Sequence, residues 1–223
     1  MKIVSWNCSG KFREKFQDII TLEADIYVIQ ECENPKQSNC INYKQFASNF
    51  LWVGENKNKG LGVFAKDEIK LKENDWQKFC LRNFLSVKVN NCFDLVAVWA
   101  CNPYIEEYYV YQNINISNYN KNTIIIGDFN SNAIWDKKHG SRTHSTVVHQ
   151  LNEIGILSVY HYLNNEKQGE ESKPTFYMYR HPDKSYHIDH CYTSLRNIKD
   201  YHIMCDTNWL KKSDHMPILF ETK

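Results

Sequence analysis

The 223-residue chain holds no apolar run long enough to cross a membrane. Its longest, LVAVWAC from Leu95 to Cys101, falls far short of the roughly 20 residues that a helical span requires. The opening MKIVSWNCSG has one lysine and no apolar stretch behind it, so no secretion signal is expected. Net charge is nearly absent: 27 Lys and Arg against 26 Asp and Glu leave +1. That excludes a protein that coats nucleic acid through charge alone, and gives no reason for attraction to an anionic membrane. Any phosphate-binding surface must be local, or supplied by bound cations. The 8 cysteines form no CxxC pair. Without a secretion signal they read as reduced, mostly buried thiols of a cytoplasmic protein, not as a disulfide framework. Repeats, low-complexity tracts and Pro/Gly/Ser linkers are also missing, so residues 1–223 are expected to form one domain.

What the chain does have is a succession of short apolar segments. KIVSW (Lys2 to Trp6) reads as a first strand. Phe12, Phe16, Ile19 and Ile20 then share one face of a helical pattern, and DIYVIQE (Asp25 to Glu31) reads as a buried strand. LGVFA (61–65), IKLK (69–72), FLSVKV (84–89) and DLVAVWA (94–100) follow with short polar turns, the pattern of an antiparallel meander. Residues 106–119 are compatible with a helix, and TIIIG (123–127) is a strand. HSTVVHQLNEIG (144–155) predicts a helix with Ser145 as cap, Val147, Val148, Leu151 and Ile154 as apolar face, and Gly155 as terminator. Further strands are expected near 175–179, 187–193, 198–205 and 215–220. A mixed α/β (α+β) fold follows, with sheets packed together and covered by helices.

Polar residues collect at the ends of these strands. IIIGDFNSN (Ile124 to Asn132) runs from three branched apolar residues into an acid and an amide, and SWN (5–7), IQE (29–31) and SDH (213–215) likewise place polar residues at strand ends. In HIDH (187–190), Asp189 lies within a strand. Burial makes such groups costly, so strands that end in them are expected to end at the rim of a site. Carboxylates and an amide at strand ends suit a hard cation, because magnesium takes oxygen ligands and needs only one or two carboxylates. A cation so held can stabilise charge developing on phosphate oxygens. Each segment alone is a weak signal, since Gly-Asp after a strand is commonly only a turn.

Taken together, IIIGDFN, PTFY with HIDHCYTS, and SDHMPI resemble the endonuclease/exonuclease/phosphatase (DNase I-like) superfamily, and the resemblance extends from Trp6-Asn7 to Ser213-Asp214-His215. It implies a four-layer sandwich of two packed, mostly antiparallel sheets flanked by helices. It implies Asn7, Glu31 and Asp214 as metal-site residues, with Mg2+ or Mn2+ as cofactor. It implies Asp128 as the residue that aligns or deprotonates the attacking water, Asn130 as the amide that holds the scissile phosphate, His215 as the phosphate contact, and Asp189 as the acid that orients His215. Asn102 resembles an asparagine of the abasic-site enzymes. A carboxylate bonded to one imidazole nitrogen fixes the tautomer and favours the charged ring, which agrees with the Asp189–His215 assignment.

Some positions depart from the superfamily pattern. Trp99 stands where many relatives carry a catalytic His or Tyr, and tryptophan offers one N–H donor but no acid at neutral pH. Ser9 stands where some carry a further acid, and His187 where Arg is frequent. Strand alternation puts His187 and Asp189 on one side, which makes His187 a candidate substrate contact, and puts His190 on the opposite face. Asn132 and Arg142 are further substrate-binding candidates near GDFN, as are Thr143 and His144. ENKNKG (55–60) and Lys211-Lys212 are small basic stretches, read first as solvated surface and second as phosphate contacts. No His or Cys pair has finger-like zinc spacing. The expected protein is a monomeric, metal-dependent phosphoesterase, more readily a nuclease on DNA or RNA than a small-molecule phosphatase. A nucleic-acid-binding module that has lost turnover is the rival reading, motivated by Trp99 and Ser9.

Overall fold

Two six-stranded sheets carry the fold of the computed structural model, which describes residues 1–223. In chain order the strands are β1 (Lys2–Asn7), β2 (Ile26–Cys32), β3 (Phe50–Asn56), β4 (Lys59–Ala65), β5 (Leu71–Glu73), β6 (Phe84–Val89), β7 (Phe93–Trp99), β8 (Thr123–Asp128), β9 (Leu157–Ser158), β10 (Phe176–Tyr177), β11 (Ser185–Tyr186), β12 (Asp189–Thr193), β13 (Ile198–Ile203) and β14 (Ile218–Thr222). The helices are α1 (Phe16–Ile20), α2 (Ile41–Phe46), α3 (Ile105–Asn115), α4 (His144–Glu153) and α5 (Val159–Asn164). One sheet has the order β13-β14-β1-β2-β4-β3, the other β5-β6-β7-β8-β12-β9, and β10 with β11 forms a small hairpin. Each large sheet contains one parallel pair, β1 with β2 and β7 with β8, among antiparallel neighbours. No helix is long and apolar enough to cross a membrane.

Side-chain alternation sorts the layers. Ile124 and Ile126 of β8 join Val28, Leu85, Leu95 and Ile218 in the apolar cluster between the sheets, while Ile125 faces outward. Ile125 meets Val96 and Val98 of β7, Tyr108 and Tyr111 of α3, and Val147 and Leu151 of α4. On the other sheet, Val4, Trp6 and Ile29 face outward onto Phe12, Phe16 and Tyr43. Central strands buried on both faces explain the near-continuous apolar runs of β2 and β8. Each fully buried isoleucine contributes about 1.5–3 kcal/mol. The parallel β7–β8 pair needs Gly127, because a Cβ there would lie 2.0 Å from the Val98 carbonyl oxygen.

Several local expectations are corrected. The stretch from Phe12 to Ile20 is a short 3-10 turn followed by α1, and Ile20 is exposed. Thr143 caps α4, accepting the Thr146 N–H on its hydroxyl, in place of Ser145, which lies inside the helix. β12 begins at Asp189, not His187. Only Cys8, Cys32 and Cys191 are buried among the 8 free thiols, so "mostly buried" fails for the cysteines. β3, α2, β9, β11 and α5 have no counterpart among the elements expected from the sequence.

Candidate active site

The parallel pairs put their carboxyl ends at one end of the sandwich. β1 delivers Asn7, β2 delivers Glu31, β7 delivers Trp99 and β8 delivers Asp128. β12 starts from the same end, with Asp189 paired to Asp128 across the ladder. The segment before β14 brings Ser213, Asp214 and His215, because the Ser213 hydroxyl donates to the Asn7 carbonyl (2.7 Å) and the Trp6 indole N–H to the His215 carbonyl (3.0 Å). Crevices outside the carboxyl ends of parallel strands are where such sheets commonly bind ligands. Two of these positions use uncommon backbone. Glu31 has φ +61° at a bulge where β2 slips register against β4, and Asn130 has φ +48°. Non-glycine residues in this region cost of order 1–3 kcal/mol, and such costs cluster at functional sites.

A continuous hydrogen-bond network links the polar groups. His215 Nδ1 lies 2.9 Å from Asp189 Oδ2, and His215 Nε2 lies 4.0 Å from Asp128 Oδ2. Asp128 Oδ1 accepts the Asn130 backbone N–H (2.8 Å), while Oδ2 accepts the side-chain amides of Asn7 (2.9 Å) and Asn130 (3.0 Å). Asn7 also reaches Glu31 Oε1 at 3.4 Å, and Glu31 Oε2 lies 3.0 Å from Lys59 Nζ. Thr175, fully buried, holds the start of β12 by accepting both the Ile188 and Asp189 N–H groups on its hydroxyl at 3.0 Å. The Phe176 ring packs on His215, centroids 4.7 Å apart.

Charge follows from this packing. Burial works against an imidazolium at His215, yet Asp189, and after it Asp128, override burial and raise its pKa to about 10. Burial raises Asp128 to about 7; His215 opposes that rise and Asp189 adds to it. Ligand atoms of Asp128, Asp189 and His215 lie within 4.8 Å of one another, a spacing that would suit a metal. A protonated imidazole has no free lone pair, so without a cation this trio holds a proton. Oxygen donors for a hard cation remain beside it. Glu31 meets only the long Asn7 contact and an ammonium, Asn7 Oδ1 accepts one N–H from Ser9 and keeps a lone pair, and Asp214 takes only a 3.4 Å contact from Ser213. Glu31, with Asn7 in contact with it, and Asp214, next to His215 in sequence, are oxygen donors of the kind magnesium or manganese takes, and the Lys59 ammonium beside Glu31 marks a position already suited to positive charge.

Not every candidate converges here. Asn132 is buried and fully engaged: its Oδ1 accepts the Ile134 N–H, capping the turn at 133–138, and its amide donates to Glu171 and to the His187 carbonyl, each at 3.0 Å. It braces the loop, with both amide hydrogens spent and the side chain buried, so it offers no donor to a substrate. His187 is likewise buried, with Nδ1 on the Lys173 carbonyl (2.8 Å) and its ring 4.4 Å from that of Tyr160. Strand alternation failed because the residues before Asp189 leave the ladder to meet Thr175. For the same reason the His187 and His190 rings lie 5.0 Å apart instead of on opposite faces. His144 is buried against His190, 4.7 Å between rings, and Thr143 is spent as a cap. The Asn130 amide, expected on a phosphate, donates instead to Asp128 and to the Ala100 carbonyl (3.1 Å). Asn102 and Arg142 line a cavity of about 450 Å3 beside Lys59 and Trp99, whose lining does not include Asp128, Asp189 or His215. Lys59, Thr175 and Phe176 were not read as site residues. The basic stretch 55–60 suggests solvated surface or a phosphate contact without singling out Lys59, and only its neighbours in space, Glu31 and Trp99, do so.

No family model and no curated protein matches the chain. Solved structures do. A 3'-5' exonuclease, NExo, from Neisseria meningitidis aligns with TM-score 0.74 at 17% identity, over 100% of both chains. An AP endonuclease from Archaeoglobus fulgidus aligns with TM-score 0.72 at 13% identity, over 100% of this chain and 99% of that one. The endonuclease domain of the telomere-specific non-LTR retrotransposon TRAS1 aligns with TM-score 0.65 at 16% identity, over 100% and 97%. From end to end, the chain has the DNase I-like fold of the endonuclease/exonuclease/phosphatase proteins.

Proposed function

We propose that the protein is a divalent-metal-dependent phosphodiester hydrolase, a nuclease acting on DNA or RNA. The observation that carries this reading is the buried Asp128–Asp189–His215 cluster, tied through the Asn7 amide to Glu31 at one end of the sandwich. Asp189 spends Oδ2 on His215 Nδ1, which fixes the ring and leaves the Nε2–H as the free donor toward a phosphate oxygen. A buried imidazolium stabilises charge there more than the same group in water would. Asp128, held by Asn7 and Asn130, keeps one Oδ1 lone pair for the attacking water and orients it. Asn130 is a positioning residue for Asp128. Glu31, Asn7 and Asp214 would hold Mg2+ or Mn2+, which when bound supplies positive charge to the phosphate oxygens.

The test is hydrolysis of labelled oligonucleotides, single- and double-stranded, DNA and RNA, with abasic or 3'-phosphate ends included. Mg2+, Mn2+ or chelator is added, for the wild type and Asp128→Ala. The reading expects metal-dependent cleavage that Asp128→Ala reduces by about 100-fold or more. Release of inorganic phosphate alone, without strand cleavage, would replace the nuclease by a phosphatase. No metal-dependent turnover on any of these substrates would overturn the enzyme reading in favour of a binding module.

A further inference from the structure

The bulge that sets Glu31 also sets Lys59. Gln30 pairs with Leu61 and Cys32 with Gly60, so Glu31 is the extra residue opposite the start of β4, where Lys59 stands. The Lys59 ammonium lies 3.0 Å from Glu31 Oε2 and 5.5 Å from the Trp99 ring centroid. Its side chain is 50% exposed, so the stem is free to swing. An exposed pair of this kind contributes little to stability, which leaves its place beside the metal-site carboxylate to be explained.

We propose that Lys59 is a built-in counter-ion. It occupies Glu31 when no divalent cation is bound and, once displaced, turns over the Trp99 face toward the substrate phosphate. The inference rests on the reading of Glu31 as a metal ligand. A divalent cation on Glu31 and an ammonium on the same carboxylate repel each other, so one must leave. The Trp99 ring face, which the ammonium already overlies, keeps the displaced cation at the site, and the cavity of about 450 Å3 there is lined by Lys59, Arg82 and Arg142 together with Glu55, Glu106 and Glu107. Tryptophan itself brings no charge to this side. Lys59 therefore supplies a positive group on the Glu31–Trp99 side of the site.

Two measurements on the intact protein test this. Binding of Mn2+ alone is followed by calorimetry for wild type, Lys59→Met, Lys59→Arg and Glu31→Gln. Binding of a fluorescein-labelled oligonucleotide in the presence of Ca2+ is followed by anisotropy for the same proteins. Lys59→Met is expected to tighten Mn2+ by about three- to tenfold and to weaken oligonucleotide binding by a similar factor, while Lys59→Arg stays near wild type on both. Glu31→Gln is expected to weaken Mn2+ at least tenfold, the effect of losing a charged ligand. Mn2+ affinity unchanged in Lys59→Met but weakened in Glu31→Gln overturns the counter-ion and leaves the metal reading intact. Unchanged affinity in Glu31→Gln overturns the metal reading itself, and the counter-ion with it. Tighter Mn2+ in Lys59→Met with unaltered oligonucleotide affinity overturns the substrate-facing half.

Discussion

Lowering the pH below 6.5 should destabilise the protein through its buried histidines. Burial, the leading cause, depresses His144 to about 4 and also lowers His187 and His190. Each is neutral in the folded chain and protonated in the unfolded one over that interval, so the unfolded state binds more protons. Stability is complete above the ordinary histidine value of 6.5 and falls as pH drops toward the folded value. For His144 the gap of about 2.5 units, at 1.36 kcal/mol each, gives ~3 kcal/mol lost by pH 4. Asp128 works the other way between about 7 and 3.8, because its folded form holds the proton longer, and it cancels the slope of about one histidine. Replacing His144 isolates one group from this balance. Urea unfolding of wild type and His144→Gln at about pH 7, 6 and 5 should show stability curves diverging by up to ~1.4 kcal/mol per pH unit, with the variant less acid-sensitive. The effect should reach the active site, since the His190 ring bonds the Ser131 carbonyl (3.0 Å) and the His187 carbonyl accepts from Asn132, bracing the loop that carries Asp128 and Asn130. Parallel pH dependences in the two proteins would refute the assignment of His144 as a buried neutral group.

Asn132→Ala should lower stability by about 1–3 kcal/mol in chemical denaturation, because Glu171 and the His187 carbonyl lose a buried donor, while kcat on any cleaved oligonucleotide changes little below the transition; a large KM effect at unchanged stability would restore it as a substrate contact. Gly127→Ala should cost more than ~3 kcal/mol, or prevent folding, since the Val98 backbone cannot yield at 2.0 Å; a melting temperature near wild type would contradict the close approach. Glu171, lowered to about 2 against its burial by His161 and by hydrogen bonds from Gly169 and Asn132, contributes stability above 4.5 that is lost as pH falls through about 2; Glu171→Gln should therefore melt lower at neutral pH, and converge with wild type in strong acid.

The legible part of the fold was the part set by local chemistry. TIIIGD could be read as a buried strand because alternate isoleucines serve two apolar layers, and its acid marked where the strand meets the site. Thr143 and Ser145 could not be told apart as caps from sequence, since both hydroxyls are suitable and the choice was made by where Asp136 receives the His144 N–H. His187 misled for a different reason. Period-two alternation assumes a continuous ladder, and Thr175, 14 residues before Asp189, takes over its backbone hydrogen bonds at the start of β12. The same limit hid Lys59, whose meaning depends on a bulge in β2 some 28 residues upstream. Sequence periodicity reports which face a residue takes within an element. It says nothing of what an irregularity in a neighbouring element brings opposite. Polar residues placed at strand ends, which the fold brings together, were therefore recoverable, whereas partners contributed across a register shift required the three-dimensional arrangement. On this argument, further active-site residues of such chains are best sought opposite bulges rather than beside motifs.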